Sequence, residues 1–140
     1  MARDAYLDRL AAVPLFKSFT KPELRKVARA GTEISVDAGY VLAREGTAGR
    51  ETFVILDGTA AVRRNNRKVA SLGSGEAVGE LALLDHGART ATVTAETPMT
   101  VLVLDPREFR AVLGDVPRLS HKLLENLAGR VRELDKQAYG

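Results

Sequence analysis

Between residues 32 and 104 the sequence alternates short runs rich in β-branched residues with turns rich in glycine or asparagine. Short apolar runs bounded by turn residues about every ten positions predict antiparallel strands. Asn65 and Asn66 stand between basic residues and predict a hairpin turn, because asparagine tolerates a positive φ. Many short strands of this kind indicate a barrel or a roll of two sheets. The predicted strands are residues 32–36, 41–44, 52–56, 60–64, 68–72, 90–95 and 100–104.

Helical patterns precede this region, in residues 1–31. A first short helix is expected to end before Pro14, since the residue preceding a proline is pushed out of the α region. A second helix begins after Thr20, whose hydroxyl and the Glu23 carboxylate three residues later predict a capping box. Gly31 is the residue expected to end this second helix.

A helical pattern returns over residues 105–137, where Asp105 and Glu108 predict another capping box. We expect Gly114 to end that helix and Asp115 to cap a last helix, which has an apolar residue every four positions. Helices at both ends and strands between them predict an α+β fold with helices packed against an antiparallel β-roll. We expect the 140 residues to form a single domain, because this is close to the usual domain size.

Residues 75–93 do not fit the strand pattern. Residues 80–84 are good helix formers, preceded by Gly79 and followed by Gly87. The N-terminus of a short helix presents free N–H groups and a partial positive charge, which favour a phosphate. The Arg89 guanidinium suits two oxygens of one phosphate, and the Glu80 carboxylate accepts a hydrogen bond from a hydroxyl such as that of a ribose. An ion pair between Glu80 and Arg89 is the alternative interpretation.

The same segment resembles the phosphate-binding cassette of cyclic nucleotide-binding domains, in the run Gly79-Glu80-Leu81-Ala82-Leu83-Leu84 followed by Arg89-Thr90-Ala91-Thr92-Val93. The family includes catabolite activator protein, the regulatory subunits of cyclic-AMP-dependent kinase and cyclic-nucleotide-gated channels. Upstream, Gly39, Gly46 and residues 53–58 resemble its glycine-punctuated strands. The likeness covers about residues 13–135. It implies a jelly-roll-like double-stranded β-helix flanked by N-terminal helices and a C-terminal helical lid.

The resemblance also implies a role for each residue of the cassette, which we take as residues 79–91. Glu80 would hold the ribose 2′-hydroxyl, and Arg89 would neutralise the cyclic phosphate. The backbone amides of Leu81 and Ala82 would donate to phosphate oxygens, and Thr90 would bond the phosphate or a base edge. The implied ligand-binding residues are Gly79, Glu80, Leu81, Ala82, Arg89, Thr90, Ala91, Arg130 and Leu134.

Two features concern the rest of the implied site. Arg130 and Leu134 of the last helix are the candidates to cover the base, with Leu134 as an apolar cap. Ala88 departs from the proline that kinase-type cassettes often have, so we expect a less preorganised loop that keeps its contact chemistry.

The function that follows is a stand-alone regulatory domain for signal transduction that binds a cyclic nucleotide and couples binding to movement of its C-terminal helix. Cyclic AMP is the first expected ligand and cyclic GMP the second, with no other cofactor. An apolar stripe with 3-4-3 spacing suits an effector protein or a homodimer. The alternative is a nucleotide-free dimerisation or protein-interaction module of the same fold. The stripe consists of Leu124, Leu127, Val131 and Leu134.

Other classes of protein fit the sequence poorly. There is no cysteine, and the two histidines, His86 and His121, are not paired for a metal or a catalytic site, so we expect no enzyme. The net charge of +3 is small, and no recognition helix follows the last predicted helix, so we expect no specific nucleic-acid partner. Neither a signal-peptide region nor an apolar run long enough for a membrane is present, and the expected compartment is the cytoplasm.

Overall fold

A computed structural model describes residues 3–85 and 87–139 and forms four α-helices and eight β-strands within them. The helices are α1 (Arg3–Ala11), α2 (Lys21–Arg29), α3 (Pro106–Asp115) and α4 (Arg118–Tyr139). The strands are β1 (Gly31–Val36), β2 (Val41–Ala43), β3 (Thr52–Asp57), β4 (Ala60–Arg64), β5 (Arg67–Leu72), β6 (Ala77–Val78), β7 (Thr92–Ala95) and β8 (Met99–Leu104). Short 3-10 helices lie at Pro14–Phe16 and Glu80–Leu83.

The strands form two antiparallel four-stranded sheets, with the strand orders β1-β8-β3-β6 and β2-β7-β4-β5. Each sheet joins strands that are distant in the sequence, as expected when one chain winds back and forth between two layers. The predicted α+β fold with an antiparallel roll is confirmed. The hairpin turn at Asn65 and Asn66 is also confirmed, since both residues have positive φ, 52° and 65°.

The fold has two apolar clusters. One fills the space between the helices and the first sheet, where the rings of Phe16 and Phe109 lie 5.8 Å apart. The other lies inside the roll, where Ile55 and Val101 are completely buried. Leu83, in the second 3-10 helix, belongs to the first cluster and is 1% exposed. The segment that interrupted the strand pattern is therefore anchored in the helical core.

Several predicted boundaries were wrong. Gly31 begins β1, and α2 ends in a cap at Ala30. Gly114 and Asp115 both belong to the last turn of α3, so Asp115 does not cap α4. Asp105 does cap α3, but its side chain accepts from the Arg107 amide at 2.8 Å instead of forming the predicted capping box with Glu108. Gly114 does not end α3, because a glycine within a helix costs only about 1 kcal/mol relative to alanine.

Helix α4 is held against α2 by a buried carboxylate. Glu23 is 1% exposed, accepts from Lys122 Nζ at 2.6 Å and from Arg118 Nε at 2.5 Å, and completes the predicted capping box with Thr20. Burial would raise the pKa of Glu23, but the bonds from Lys122, the Thr20 amide and Arg118 outweigh it and lower the pKa to about 2. We call Glu23, Arg118 and Lys122 the α2–α4 clamp. In the described part of the chain, even α4 lacks the apolar length that a membrane-crossing helix needs.

Candidate functional site

A cavity of about 640 Å³ lies between the β4–β5 hairpin and residues 79–91. This volume is in the range of small-molecule sites. Eight of the nine predicted ligand-binding residues line this one cavity, which we call the roll cavity. They are Gly79, Glu80, Leu81, Ala82, Arg89, Thr90, Ala91 and Arg130.

Glu80, Leu81 and Ala82 of the turn Glu80–Leu83 form one side of the roll cavity, and the chain enters this turn through Gly79 in the left-handed conformation with φ 71°. The buried Thr52 hydroxyl donates to the Gly79 carbonyl oxygen at 2.7 Å and fixes this entry. The turn is a 3-10 helix of four residues, in which the Ala82 N–H donates to the Gly79 carbonyl oxygen at 3.0 Å. The Ala82 amide predicted to bind phosphate is therefore already engaged within the turn.

Arg89 is held over this turn by its backbone. Its N–H donates to the Thr47 carbonyl oxygen at 2.8 Å, and its carbonyl oxygen accepts from the Gly46 N–H at 2.9 Å. The side chain then passes two glycines. A Cβ on Gly49 would lie 1.8 Å from Arg89 Nε, and a Cβ on Gly79 would lie 1.6 Å from Arg89 Nη1. Only glycine leaves room for the guanidinium at these two positions.

The Arg89 guanidinium is half-buried and only partly satisfied. Nη2 donates to the Glu51 carbonyl oxygen, whereas Nη1 is buried and has no hydrogen-bond partner among the described residues. Burial lowers the pKa of Arg89, and the nearby Glu51 carboxylate acts in the opposite direction. An arginine remains charged at neutral pH, so the roll cavity contains a cation with a free donor.

Glu80 faces the last helix. Its Oε1 accepts from Arg130 Nη1 at 2.6 Å, and its Oε2 is buried without a partner in the described structure. The predicted alternative, an ion pair between Glu80 and Arg89, is not the pairing observed, because each of these residues has a different partner. The Glu80 carboxylate is therefore connected to α4 through its ion pair with Arg130.

Another part of the roll cavity is a mostly apolar wall whose residues are not predicted from the sequence. Alternate residues of strands share a face, which places Val62 and Arg64 of β4 together at this wall. The β4 alternation is the signal that could have identified them. No local sequence pattern identifies Gly49, Glu51 and Thr52 as site residues. They reach the site only because β3 packs beside the cassette. The apolar side chains of the wall are Ala43, Val62, Val69, Ala70, Leu72 and Val93.

The ninth predicted residue, Leu134, lies elsewhere. It lines a separate groove with Pro14 and Lys17 and is 63% exposed. In this arrangement of α4, the only contribution of the helix to the roll cavity within the described residues is Arg130. An apolar cap from Leu134 would require α4 to change position.

The histidines stand apart from the roll cavity. His121 Nε2 lies 2.7 Å from Glu125 Oε1, one turn along α4, and both side chains are exposed. His86 lies outside the described residues. Among residues 3–85 and 87–139, no group of three or more metal-ligating side chains is placed to hold an ion.

Comparisons with known proteins show what the chain is similar to. The sequence is 34% identical over 114 residues to the cAMP-dependent protein kinase regulatory subunit of Schizosaccharomyces pombe, covering 81% of this chain and 28% of that one. The fold matches the N-terminal domain of a transcriptional regulator from Streptomyces coelicolor with a TM-score of 0.87 and 28% identity, covering 95% and 96% of the two chains.

A third match is the regulatory domain of Toxoplasma gondii protein kinase A, solved with cAMP. Its TM-score is 0.71 at 30% identity, over 78% of this chain and 43% of that one. The chain spans 28%, 36% and 31% of the length of three curated relatives, so it corresponds to one part of those proteins. The sequence pattern of the cyclic nucleotide-binding domain matches residues 33–115, and the chain belongs to this family.

Proposed function

We propose that the roll cavity binds a 3′,5′-cyclic purine nucleotide. The observation that carries this proposal is a pair of buried polar atoms in one cavity, the donor Arg89 Nη1 and the acceptor Glu80 Oε2, neither with a partner in the described structure. In a cyclic nucleotide the anionic phosphate forms a ring fused to the ribose. The ribose also carries a 2′-hydroxyl, so both groups are held in a rigid arrangement. The nucleotide therefore supplies the acceptor and the donor that these two atoms need.

The apolar wall supports the same ligand. A purine is flat and mostly apolar on its faces, and Val62, Val69 and Leu72 offer a surface of that character. The regulatory subunit from S. pombe is named for cAMP, and the T. gondii domain was solved with it, so cAMP is the first ligand to test. Cyclic GMP is the second. The family is regulatory, and we propose no catalysis at this site.

The decisive experiment is calorimetry with cAMP and cGMP on the wild type and two variants of Arg89. A charge-assisted hydrogen bond contributes about 1.5–3 kcal/mol, so Arg89→Ala should weaken binding about tenfold or more. Arg89→Lys keeps the charge but loses the two-pronged donor, and we expect it to be weakened as well. Arg107→Ala, on an exposed position of α3, is the matched control and should bind normally. Equal affinity of wild type and Arg89→Ala would refute the proposal.

We further propose that binding shifts the position of α4. Arg130 of α4 already bonds the carboxylate that would receive the ribose, so the ligand and the helix share one group. A ligand changes a conformational equilibrium only if it binds one arrangement more tightly. Hydrogen exchange of the α4 amides, measured with and without saturating nucleotide, tests this step. Exchange that is identical in the two states would show that α4 does not respond.

One observation favours a second candidate, a nucleotide-free interaction module. Three of the four residues of the α4 stripe are open to solvent, with Leu124, Val131 and Leu134 exposed by 65%, 64% and 63%, whereas Leu127 is half-buried against the helical core. A thermal-shift titration separates the two candidates, since a ligand that binds the native state raises the unfolding temperature by mass action. No shift with either nucleotide at millimolar concentration would leave the interaction module as the function.

A further inference from the structure

A second cavity, which we call the loop cavity, shares Arg89 with the roll cavity. Its volume is about 310 Å³, and it is lined by β2, by the loop that connects β2 to β3, and by the start of β3. Within the described part of the chain, Ala43 and Arg89 are the residues that line both cavities. The charged group that the two cavities have in common is therefore the guanidinium of Arg89.

Two glycines indicate which atoms of Arg89 lie nearest to each cavity. Gly79 lines the roll cavity, and a Cβ there would lie beside Nη1. Gly49 lines the loop cavity, and a Cβ there would lie beside Nε. Within residues 3–85 and 87–139, the Arg89 side chain makes one hydrogen bond, from Nη2 to the Glu51 carbonyl oxygen. Nη1 and Nε therefore remain available as donors, one towards each cavity.

The charged side chains of the loop cavity are mostly cationic. Arg44, Arg50 and Arg89 contribute three guanidinium groups and Glu51 contributes one carboxylate, which leaves two positive charges in excess. Arg44 and Arg50 are exposed, and among the described residues neither forms an ion pair. A guanidinium has donors and no acceptor, and it binds oxyanions through charge-assisted hydrogen bonds. A phosphate group, with about 1.5–2 negative charges at pH 7, matches this excess.

We propose that the loop cavity is a second anion site, for inorganic phosphate or diphosphate, and that its occupation weakens nucleotide binding in the roll cavity through Arg89. The second half of this inference rests on the proposed function. Two anions that flank one guanidinium repel each other and share its charge. Each ligand therefore lowers the affinity for the other, and by linkage the two factors are equal.

The first experiment locates the anion without any nucleotide. Inorganic phosphate and diphosphate are titrated in turn against chloride at equal ionic strength, and the backbone amide shifts are followed by NMR. We expect the amides of Thr47 and Gly49, at the loop cavity, to respond to both anions. The amides of Leu81 and Ala91 report any anion that enters the roll cavity itself. No response of Thr47 and Gly49 to either anion would overturn the inference.

Variants of the lining test which charges hold the anion. Arg44→Ala and Arg50→Ala should each weaken binding in the loop cavity about tenfold, since each removes a charge-assisted donor. Glu51→Gln removes a carboxylate from the lining and should tighten binding, which a loss of folding does not do. Arg29→Ala, at an exposed position of α2 outside both cavities, removes the same charge elsewhere and is the matched control. Equal effects of Arg29→Ala and Arg44→Ala would show that only the overall charge matters and would contradict the inference.

The second experiment measures the coupling between the two cavities. Calorimetry with cyclic AMP, in phosphate and in chloride at equal ionic strength, should give an affinity about fivefold or more lower in saturating phosphate. In the double variant Arg44→Ala, Arg50→Ala this difference should disappear. If the double variant loses as much affinity as the wild type, phosphate competes inside the roll cavity and the coupling is overturned. If the wild type binds the anions in the loop cavity but no cyclic nucleotide, the proposed function and the coupling are refuted, and the second anion site stands.

Discussion

Gly79 shows how strongly the site depends on the absence of one side-chain carbon. Its φ of 71° favours glycine, and a Cβ there would lie 1.6 Å from Arg89 Nη1. We expect Gly79→Ala to displace the Arg89 guanidinium and to weaken nucleotide binding as much as Arg89→Ala does. The left-handed conformation adds a stability loss of about 1–2 kcal/mol, measurable by thermal unfolding. Gly73→Ala is the control, because a Cβ at Gly73 meets open space. Full binding by Gly79→Ala would contradict this prediction.

Glu80 gives a second prediction at the residue level, directed at the sugar. Its buried Oε2 is the acceptor proposed for the ribose 2′-hydroxyl. We expect Glu80→Ala to weaken cyclic AMP about tenfold or more, and to weaken the 2′-deoxy analogue much less, since the analogue lacks that donor. Calorimetry with the two ligands gives the comparison. Equal losses would remove Glu80 from its proposed role.

That certain residues lie together in one cavity was predictable where they belong to one local segment. Gly79, Glu80 and Arg89 belong to one cassette, and the structure brings them to one cavity as expected. The hydrogen bond of the Ala82 amide within the turn and the position of Leu134 outside the roll cavity were not predictable from the sequence, because both are set by packing. Arg64 was visible only as one basic residue in a basic hairpin, since the sequence does not tell which face of a strand meets a cavity.

At the level of elements, the α2–α4 clamp predicts a dependence of stability on pH. The Glu23 pKa of about 2 lies below the ordinary value of 4.5 that applies when the chain is unfolded. A lowered pKa means that the carboxylate stabilises the fold above about pH 5, and that this contribution is lost as the pH falls towards 2. The shift corresponds to about 3 kcal/mol.

We therefore expect Glu23→Gln to lower the free energy of unfolding at pH 7 by about 3 kcal/mol, and to lose less further stability than the wild type between pH 5 and pH 2. Urea unfolding at a series of pH values measures both effects. Glu108→Gln, at an exposed position of α3, is the control. If the two variants show parallel pH profiles, the clamp does not stabilise the fold in this way.

Elements were predicted well when their ends carry chemical signals. Thr20 with Glu23 and Asp105 before Pro106 define helix starts, and the structure has caps at both. Helix ends were harder, because Gly114 was expected to stop α3 and lies inside its last turn. The two-residue strand β6 was missed, since Ala77 and Val78 are too few to show a period of two and pair with β3 through long-range contacts.

For the whole molecule, the α4 stripe predicts association of two copies. Its members repeat with the spacing of a coiled-coil seam, and a two-fold axis would place each stripe against an identical one. The chain contains no cysteine, so single cysteines can report contacts without interference. We expect Val131→Cys to form a disulfide-linked dimer under oxidising conditions. Lys136→Cys, outside the stripe on the same helix, should remain monomeric. Equal cross-linking of both variants, or of neither, would indicate that the stripe is not the interface between copies.

The overall architecture was accessible from the sequence because it follows from the order of strand and helix signals. The arrangement of the two sheets was not, since the pairing of β1 with β8 and of β2 with β7 joins segments more than 45 residues apart. Burial of the two apolar clusters determines that pairing, and no local pattern encodes it. The roll cavity is a product of this long-range pairing together with one local turn.

The carboxylate of Glu80 holds α4 by one oxygen and leaves the other oxygen available. A ligand hydroxyl can donate to Oε2 while the ion pair between Oε1 and Arg130 is kept. Helix α4 would then tilt about this ion pair. Helix α4 continues for nine residues beyond Arg130. At about 1.5 Å per residue its end lies about 13 Å away, so a tilt of about 10° displaces it by about 2 Å. We expect a spin label near residue 138 to report a larger displacement than one beside residue 130, because the displacement caused by a tilt grows with the distance from Arg130.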